Sequence, residues 1–242
     1  MKKNPIMICL YAYFPFANAN TNVMLPLIKK LAEYYEVHIV TNNVNNKASE
    51  YEITEDGIIV HRYKSVGKLR KAIHILSDID TQKKRNLLKS VIIKFGAFAA
   101  NKLQYFSFFK KTEFIMIKDL MNKISFSFVM TTCESFSSHR NMLQLKKLIN
   151  FKIPWIAYFM DPYAYFIKNR GCAGKLLETE RQVYEQSDLI FVTEEIYEEN
   201  QNNAFTPFLY KTKPFKFGNF RFIDNKLKNQ IFDKDKINCV FV

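Results

Sequence analysis

Glycine is scarce in this chain, with six residues in 242. That scarcity argues against a glycine-rich phosphate loop before any motif is sought. Cysteine is sparser still. Cys9, Cys133, Cys172 and Cys239 lie far apart and form no C-x-x-C pair, which argues against a zinc site. Cys9 and Cys239 fall within apolar runs, where a small buried thiol is the usual occupant, and the set suits a reducing cytoplasm. No histidine pair has metal-ligand spacing on a predicted helix, so no metal is expected. No stretch reaches the ~18 uninterrupted apolar residues of a membrane span. Internal repeats and low-complexity tracts are missing as well. Acidic residues are in deficit, 23 against 36 Lys and Arg, giving a formal charge of +13. Such a balance attracts polyanions, although a merely solvated basic surface has the same composition. No helix-turn-helix or RNA-binding signature accompanies the charge, so nucleic acid is not an expected partner.

What is present is a core. Apolar residues make up 48% of the chain, enough to bury one large α/β domain or two small ones. Ile6–Tyr13 reads as a fully buried strand. Lys2-Lys3, the run to Phe16 and Ala17-Asn18-Ala19 also resemble a secretory signal with a small-residue cleavage site. Pro15 and the tyrosines Tyr11 and Tyr13 interrupt that alternative. Next, Val23, Met24, Leu27, Ile28 and Leu31 recur at helical spacing opposite Lys29, Lys30 and Glu33. Thr21 or Asn22 is placed to cap this helix, with Pro26 in its first turn. Glu36–Thr41 is the next strand. Strand, helix and strand within about 35 residues make a βαβ unit and imply a parallel sheet.

A polar stretch, 42–56, leads to an Asp56-Gly57 turn and a third strand, Ile58–Tyr63. Residues 65–123 read as helical and basic with an aromatic-rich middle. Further strands are expected at Phe126–Thr132, Ile153–Met160 and Leu189–Thr193. Helices are expected at His139–Asn150, within Gly171–Ser187, and from Glu194. The expected fold is α/β, a Rossmann-like, doubly wound parallel sheet with its first strand central. A polar linker, 224–236, precedes one more apolar strand, Ile237–Val242. That strand has no covering helix after it, which reads either as a chain cut short or as a last strand of the same sheet.

Three segments carry a family resemblance. Phe128-Val-Met-Thr-Thr-Cys-Glu-Ser-Phe-Ser-Ser-His-Arg140 joins a strand to a helix through a serine-containing loop. Ile153-Pro-Trp-Ile-Ala-Tyr-Phe-Met-Asp-Pro-Tyr163 ends a strand in an Asp-Pro-aromatic turn. Glu180–Glu194 is a helix followed by a strand. Together with the opening Tyr13–Val23, they resemble the N-terminal, acceptor-side domain of bacterial family-4-type glycosyltransferases, whose two domains form the GT-B fold. The likeness covers most of 5–65 and 125–223. The first loop departs from the family pattern in having no glycine pair. The interdomain Asn-Gly-aromatic-Asp turn appears here as Gly218-Asn219-Phe220.

The resemblance implies an organisation. Residues 1–223 would be the N-terminal Rossmann-like domain, 224–236 the linker, and 237–242 the first strand of a truncated C-terminal domain. It implies transfer of a sugar from a nucleotide sugar to a cell-envelope or polysaccharide acceptor, with little turnover by this half alone. In the family the nucleotide-sugar donor is held by the second domain, so these residues are expected to bind no cofactor. The alternative is a stand-alone Rossmann-like binding module, or one subunit of a split enzyme with a separate C-terminal half.

Ligands of open α/β sheets bind beyond the carboxyl ends of the strands. Those ends are Tyr13–Asn22, Thr131–Arg140 and Asp161–Tyr165. Asp161 and His139 are the catalytic candidates. Asp161 sits at a turn, where an aspartate also bonds its own backbone. A neutral His139 can hydrogen-bond a sugar hydroxyl or steady developing charge, or be a surface residue at a helix start. Asn18, Asn20, Thr21, Asn22, Ser135, Arg140 and Tyr163 are the acceptor-binding candidates. Asn18–Asn22 precede a helix whose free N–H groups favour an anion, and they serve equally as turn and cap residues. His38 and His61, inside strands, read as structural. Residues 83–111 mix Phe and Leu with Lys, as basic amphipathic helices on anionic membranes do, and as core-packing helices with solvated lysines also do. A lipid-linked acceptor would make such membrane contact useful, so the expected location is cytoplasmic, peripheral at the inner face of the cell membrane.

Overall fold

The computed structural model describes residues 3–15, 19–43, 48–64, 110–132, 136–149, 151–160 and 173–215. Eight strands form one sheet: β1 (Asn4–Cys9), β2 (Tyr35–Asn43), β3 (Tyr51–Ile53), β4 (Ile59–Lys64), β5 (Val129–Thr132), β6 (Trp155–Phe159), β7 (Leu189–Val192) and β8 (Thr212–Pro214). Their order is β3-β4-β2-β1-β5-β6-β7-β8. All neighbours pair in parallel except β3, which runs antiparallel to β4. The helices are α1 (Ala19–Tyr34), α2 (Lys110–Lys123), α3 (Ser137–Ile149), α4 (Ala173–Gln186) and α5 (Glu194–Asn200), followed by a 3-10 helix, Thr206–Lys211.

The expected Rossmann-like, doubly wound sheet with β1 central is what the chain adopts. Parallel strands are covered on both faces, so their residues are apolar on both sides. On β1, Ile6, Met7, Ile8 and Cys9 are all fully buried. Ile6 and Ile8 face α1, packing with Met24, Ile28, Leu31 and Ala32. Met7 and Cys9 face α2–α5, whose Ile117, Met142, Leu145, Val183, Tyr184 and Ile196 complete the second core. The two cores follow from the period-two alternation of strands.

Several boundaries differ from expectation. β1 ends at Cys9, not Tyr13, because β5, its neighbour, pairs only as far as Thr131 opposite Cys9. Helix α1 begins at Ala19, so Thr21 and Asn22 lie inside it rather than capping it. Pro26 is mid-helix, not in the first turn. The carbonyl left without its helical donor is that of Asn22, an exposed residue four positions back. The polar stretch 42–56 hides the edge strand β3, whose three residues are all exposed and give no apolar signal. The Asp56-Gly57 turn is present, with Gly57 at φ 74°, a conformation glycine adopts without steric cost. β8 was not expected either. Three residues with a central exposed lysine carry no strand pattern.

The bulk of segment 83–111, the linker 224–236, the strand 237–242 and Gly218–Phe220 lie outside the described residues. No helix among the described residues is long and apolar enough to cross a membrane.

Candidate functional site

The sheet order creates one switch in direction. From β1 the chain crosses to β2 on one side; from β5 it crosses to β6 on the other. The helices of these crossovers, α1 and α3, cover opposite faces. Between the carboxyl ends of β1 and β5 the connections therefore diverge and leave a crevice, the position where doubly wound sheets bind ligands.

The β1 wall of this crevice is the turn after Leu10 and the start of α1. Thr21 is fully buried, and its hydroxyl donates to the Ala12 carbonyl at 2.6 Å. It staples the helix to the turn and is not available as an acceptor-binding group. Asn20 is half-exposed and Asn22 exposed. Arg62, 2% exposed, reaches from β4 to donate to the carbonyls of Phe14 (2.6 Å) and Ser49 (3.0 Å), and pairs with Glu52 at 2.6 Å. It thereby ties the turn after β1 to the β3 edge. Tyr13 is buried beside it, and burial first, then the Asp56 carboxylate, pushes its phenol up to about 12. Tyr13 is a neutral hydrogen-bonding group at any ordinary pH.

The β5 wall is built differently. Thr132 donates to the Cys9 carbonyl at 3.2 Å, joining the two strand ends across the switch. Phe136, fully buried, stands at φ 50° just before α3. A bulky residue in the left-handed region is strained, and such strain concentrates at functional sites. Arg140 is half-buried, with its amide bonded to the Phe136 carbonyl.

His139 corrects an expectation. It is neither a surface residue nor open to a ligand: none of its area is exposed. Nδ1 shares a 2.6 Å hydrogen bond with the Thr131 hydroxyl, which also accepts from the Trp155 indole at 2.8 Å. Nε2 is buried and has no hydrogen-bond partner. The ring packs between Phe136 and Phe159. Burial drives its pKa down to about 3, so the imidazole stays neutral. It supports the β5–α3 turn from below.

A second support was not foreseen. Glu113 of α2 is fully buried. Its carboxylate accepts from the Ser138 hydroxyl at 2.5 Å and from the Asn141 amide at 2.9 Å, clamping the first turns of α3. It also adds to the upward shift of the Cys9 thiol, which is caused first by burial. One sequence signal was available. Glu113 falls on the same helical stripe as Ile117, Leu120 and Ile124, a carboxylate at a core position.

The structure thus brings Asn20, Thr21, Asn22, His139 and Arg140 to one sheet edge, in the first turns of the helices that follow the two adjacent strands of the switch. Asn18, Ser135, Asp161 and Tyr163 lie outside the described residues. Elsewhere, His38 and His61 sit inside strands as expected, joined Nδ1 to Nε2 at 3.0 Å, with Glu36 on the far nitrogen of His38. Burial first, then His38, lowers the His61 pKa to about 4. Among the described residues, no three His, Cys, Asp or Glu side chains are grouped to hold a metal ion.

Comparison with known proteins gives a fold. No sequence-family profile matches the chain, and no curated protein is detectably similar in sequence. Among solved structures, sucrose-phosphate synthase from Thermosynechococcus elongatus superposes with a TM-score of 0.55 at 15% identity, over 82% of this chain and 44% of the synthase. The fold is that of a GT-B half. This chain spans under half the length of the synthase it matches. A UGT2 from Phytolacca americana, complexed with UDP-2fluoro-glucose and pterostilbene, aligns over 88% of the chain with a TM-score of 0.40, too low to add to the argument.

Proposed function

We propose that this chain is the acceptor-side domain of a glycosyltransferase, serving transfer of a sugar from a nucleotide sugar to a cell-envelope or polysaccharide acceptor. The observation that carries the reading is the switch point between β1 and β5, with half-exposed Asn20 and Arg140 on its two walls, in a fold shared with sucrose-phosphate synthase. Asn20, Asn22 and Arg140 present polar groups to acceptor hydroxyls, and Asn18, Ser135 and Tyr163 join them as acceptor-binding candidates on sequence grounds. Asp161 is the group best suited to take up or orient an acceptor proton. His139 and Glu113 act as positioning residues beneath Phe136–Arg140, through Thr131 and Ser138 respectively. The donor belongs to a second GT-B half, the acceptor is saccharide or lipid-linked saccharide, and the work is done in the cytoplasm.

The test is amide chemical-shift mapping of residues 1–242 against two panels, acceptor-type oligosaccharides and nucleotide sugars. The expected result is weak saccharide binding that shifts Tyr13, Asn20, Thr132 and Arg140, with no saturable nucleotide-sugar binding. One side of a cleft leaves most of a nucleotide exposed, whereas good small-molecule sites bury ~70–90% of the ligand. Saturable nucleotide-sugar binding at the β1–β5 edge would assign the donor site to this half and overturn the reading. Absence of both responses would favour a binding module.

A further inference from the structure

The opposite edge of the sheet, at the amino ends of the strands, has a different character. Helix α2 runs into β5 there and α3 runs into β6, so the last turns of both helices and the connections after them lie together. This end carries Lys123, Lys146, Lys147 and Lys152, with Asp119 one turn before Lys123 on α2. Apolar side chains stand among them: Leu148 is 70% exposed and Ile149 41%. Phe151 and Ile153 beside them are half-buried against the core and hold the connection in place.

Only part of this charge is neutralised: Lys146 pairs with Asp188 at 3.6 Å, and Lys147 donates to the Gln182 amide oxygen at 2.9 Å. Lys146 donates to the Gln186 carbonyl at 2.5 Å, and Lys211 to the carbonyls of Glu185 and Ser187 at 2.8 and 2.7 Å. Two ammonium groups thus converge on the carboxyl end of α4, close enough for Lys146 to add to the lowering of the Lys211 pKa that burial causes first. Of the nearby acids, Asp188 already accepts from the Trp155 amide at 2.8 Å, and Glu178 is paired with Arg181 at 3.0 Å.

We infer that this edge is a docking surface for an anionic lipid bilayer, with Leu148 and Ile149 entering the headgroup region and Lys123, Lys147 and Lys152 facing lipid phosphates. Charge complementarity selects the partner. An exposed leucine and isoleucine inside a ring of lysines match a surface that is negative outside and apolar beneath. Docking here leaves the β1–β5 crevice at the far end of the sheet, directed away from the membrane plane. The inference does not depend on the proposed sugar-transfer role.

The experiment is vesicle cosedimentation of the full 242-residue chain with neutral phosphatidylcholine and with phosphatidylcholine containing phosphatidylglycerol. Wild type is expected to bind the anionic vesicles, less so as salt rises. Each lysine at an anionic surface is worth about fivefold in partitioning, so K147Q/K152Q should weaken binding on the order of 25-fold. Leu148→Gln should weaken it about tenfold through lost apolar insertion. The charge-matched control K29Q/K64Q, with both lysines already paired to acids, should bind as wild type. The exposure of all five sites keeps each variant folded, which its circular dichroism melt confirms. No binding of wild type to anionic vesicles overturns the inference. So does undiminished binding by both K147Q/K152Q and Leu148→Gln, which would move any membrane contact elsewhere, 83–111 included. A change of sedimentation coefficient on Leu148→Gln without a change in vesicle binding would make the patch a contact between copies of this chain, and also overturns it.

Discussion

The two faces of the sheet are built on different principles. Among the described residues the α1 face is covered by α1, with Met24, Ile28, Leu31 and Ala32 packed on Ile6, Ile8, Val37, Ile39 and Val60, and with Thr21 as the helix's one buried polar side chain, at its first turn. The opposite face, under α2–α5, carries a core of similar aliphatic content together with buried polar groups: Glu113, Ser138, His139, Asn141 and the His38–His61 pair. Apolar packing is non-directional and tolerates small shifts, whereas a buried carboxylate fixes its donors within tenths of an ångström and is costly when they are lost. The polar face is the one under the β5–α3 turn. The comparison teaches that the α1 face supplies stability, while the α2–α5 face fixes the geometry of one wall of the crevice.

The largest expected effect breaks the apolar face. Ile28→Ala should destabilise the chain by about 2–5 kcal/mol through lost burial and an unfilled cavity, read from the denaturant midpoint, with little change in saccharide-induced shifts at Arg140. If those shifts vanish at concentrations where the variant remains folded, the division between the faces fails.

The next effect sharpens the contrast on the polar face. Glu113→Ala leaves the Ser138 hydroxyl and Asn141 amide without their acceptor, at about 2–3 kcal/mol. Glu113→Gln should cost only about 1 kcal/mol. The Asn141 carbonyl oxygen is buried and has no hydrogen-bond partner, so an amide flip lets it accept from the new side-chain NH2 while the glutamine's single carbonyl oxygen still accepts from Ser138. Equal losses for the two substitutions in chemical denaturation would show that the clamp is not a hydrogen-bonding device.

Acid should separate the faces in the same way. The pKa values of His61 and His139 are lowered in the folded chain, to about 4 and about 3. An unfolded histidine near 6.5 therefore binds the proton first, and stability is lost as pH falls from about 6.5 toward those values. Both rings lie on the α2–α5 face, so amide exchange there should accelerate before exchange in α1 does. A His139→Gln variant should show a shallower acid slope in thermal melts. An unchanged slope would remove His139 as the source.

The smallest effect tests the staple. Thr21→Val removes the bond to the Ala12 carbonyl at about 1 kcal/mol, and should raise exchange at Tyr11–Phe14 without touching Phe136–Arg140. Altered exchange on both walls would mean that the crevice moves as one unit.

Much of the fold was legible beforehand because burial on both faces writes itself as short apolar runs, and helical burial as a stripe. β1, β2, β5, β6 and β7 and helices α1, α3 and α4 were all found from those patterns, as was the Asp56-Gly57 turn. β3 and β8 were not, because an exposed three-residue edge strand is defined by backbone pairing alone, and pairing leaves no periodicity in the side chains. Of the site, the sheet edge was legible and the roles were not. Thr21 and His139 are polar residues at a helix start, a position equally suited to a cap, a ligand contact or a buried staple.

The amino-acid sequence by itself determined the alternation of strand and helix, and hence a parallel sheet with β1 inside it, because those properties depend on each residue's neighbours along the chain. The tertiary structure decided which polar side chains would be buried. Glu113 meets Ser138 and Asn141 from 25 and 28 residues away, and His139 meets Thr131 only because β5 and α3 pack face to face. A polar group can leave water only when its partner is in place. That condition is set by the packing of whole elements: a helical stripe can mark Glu113 as a core position, but it does not name the partner.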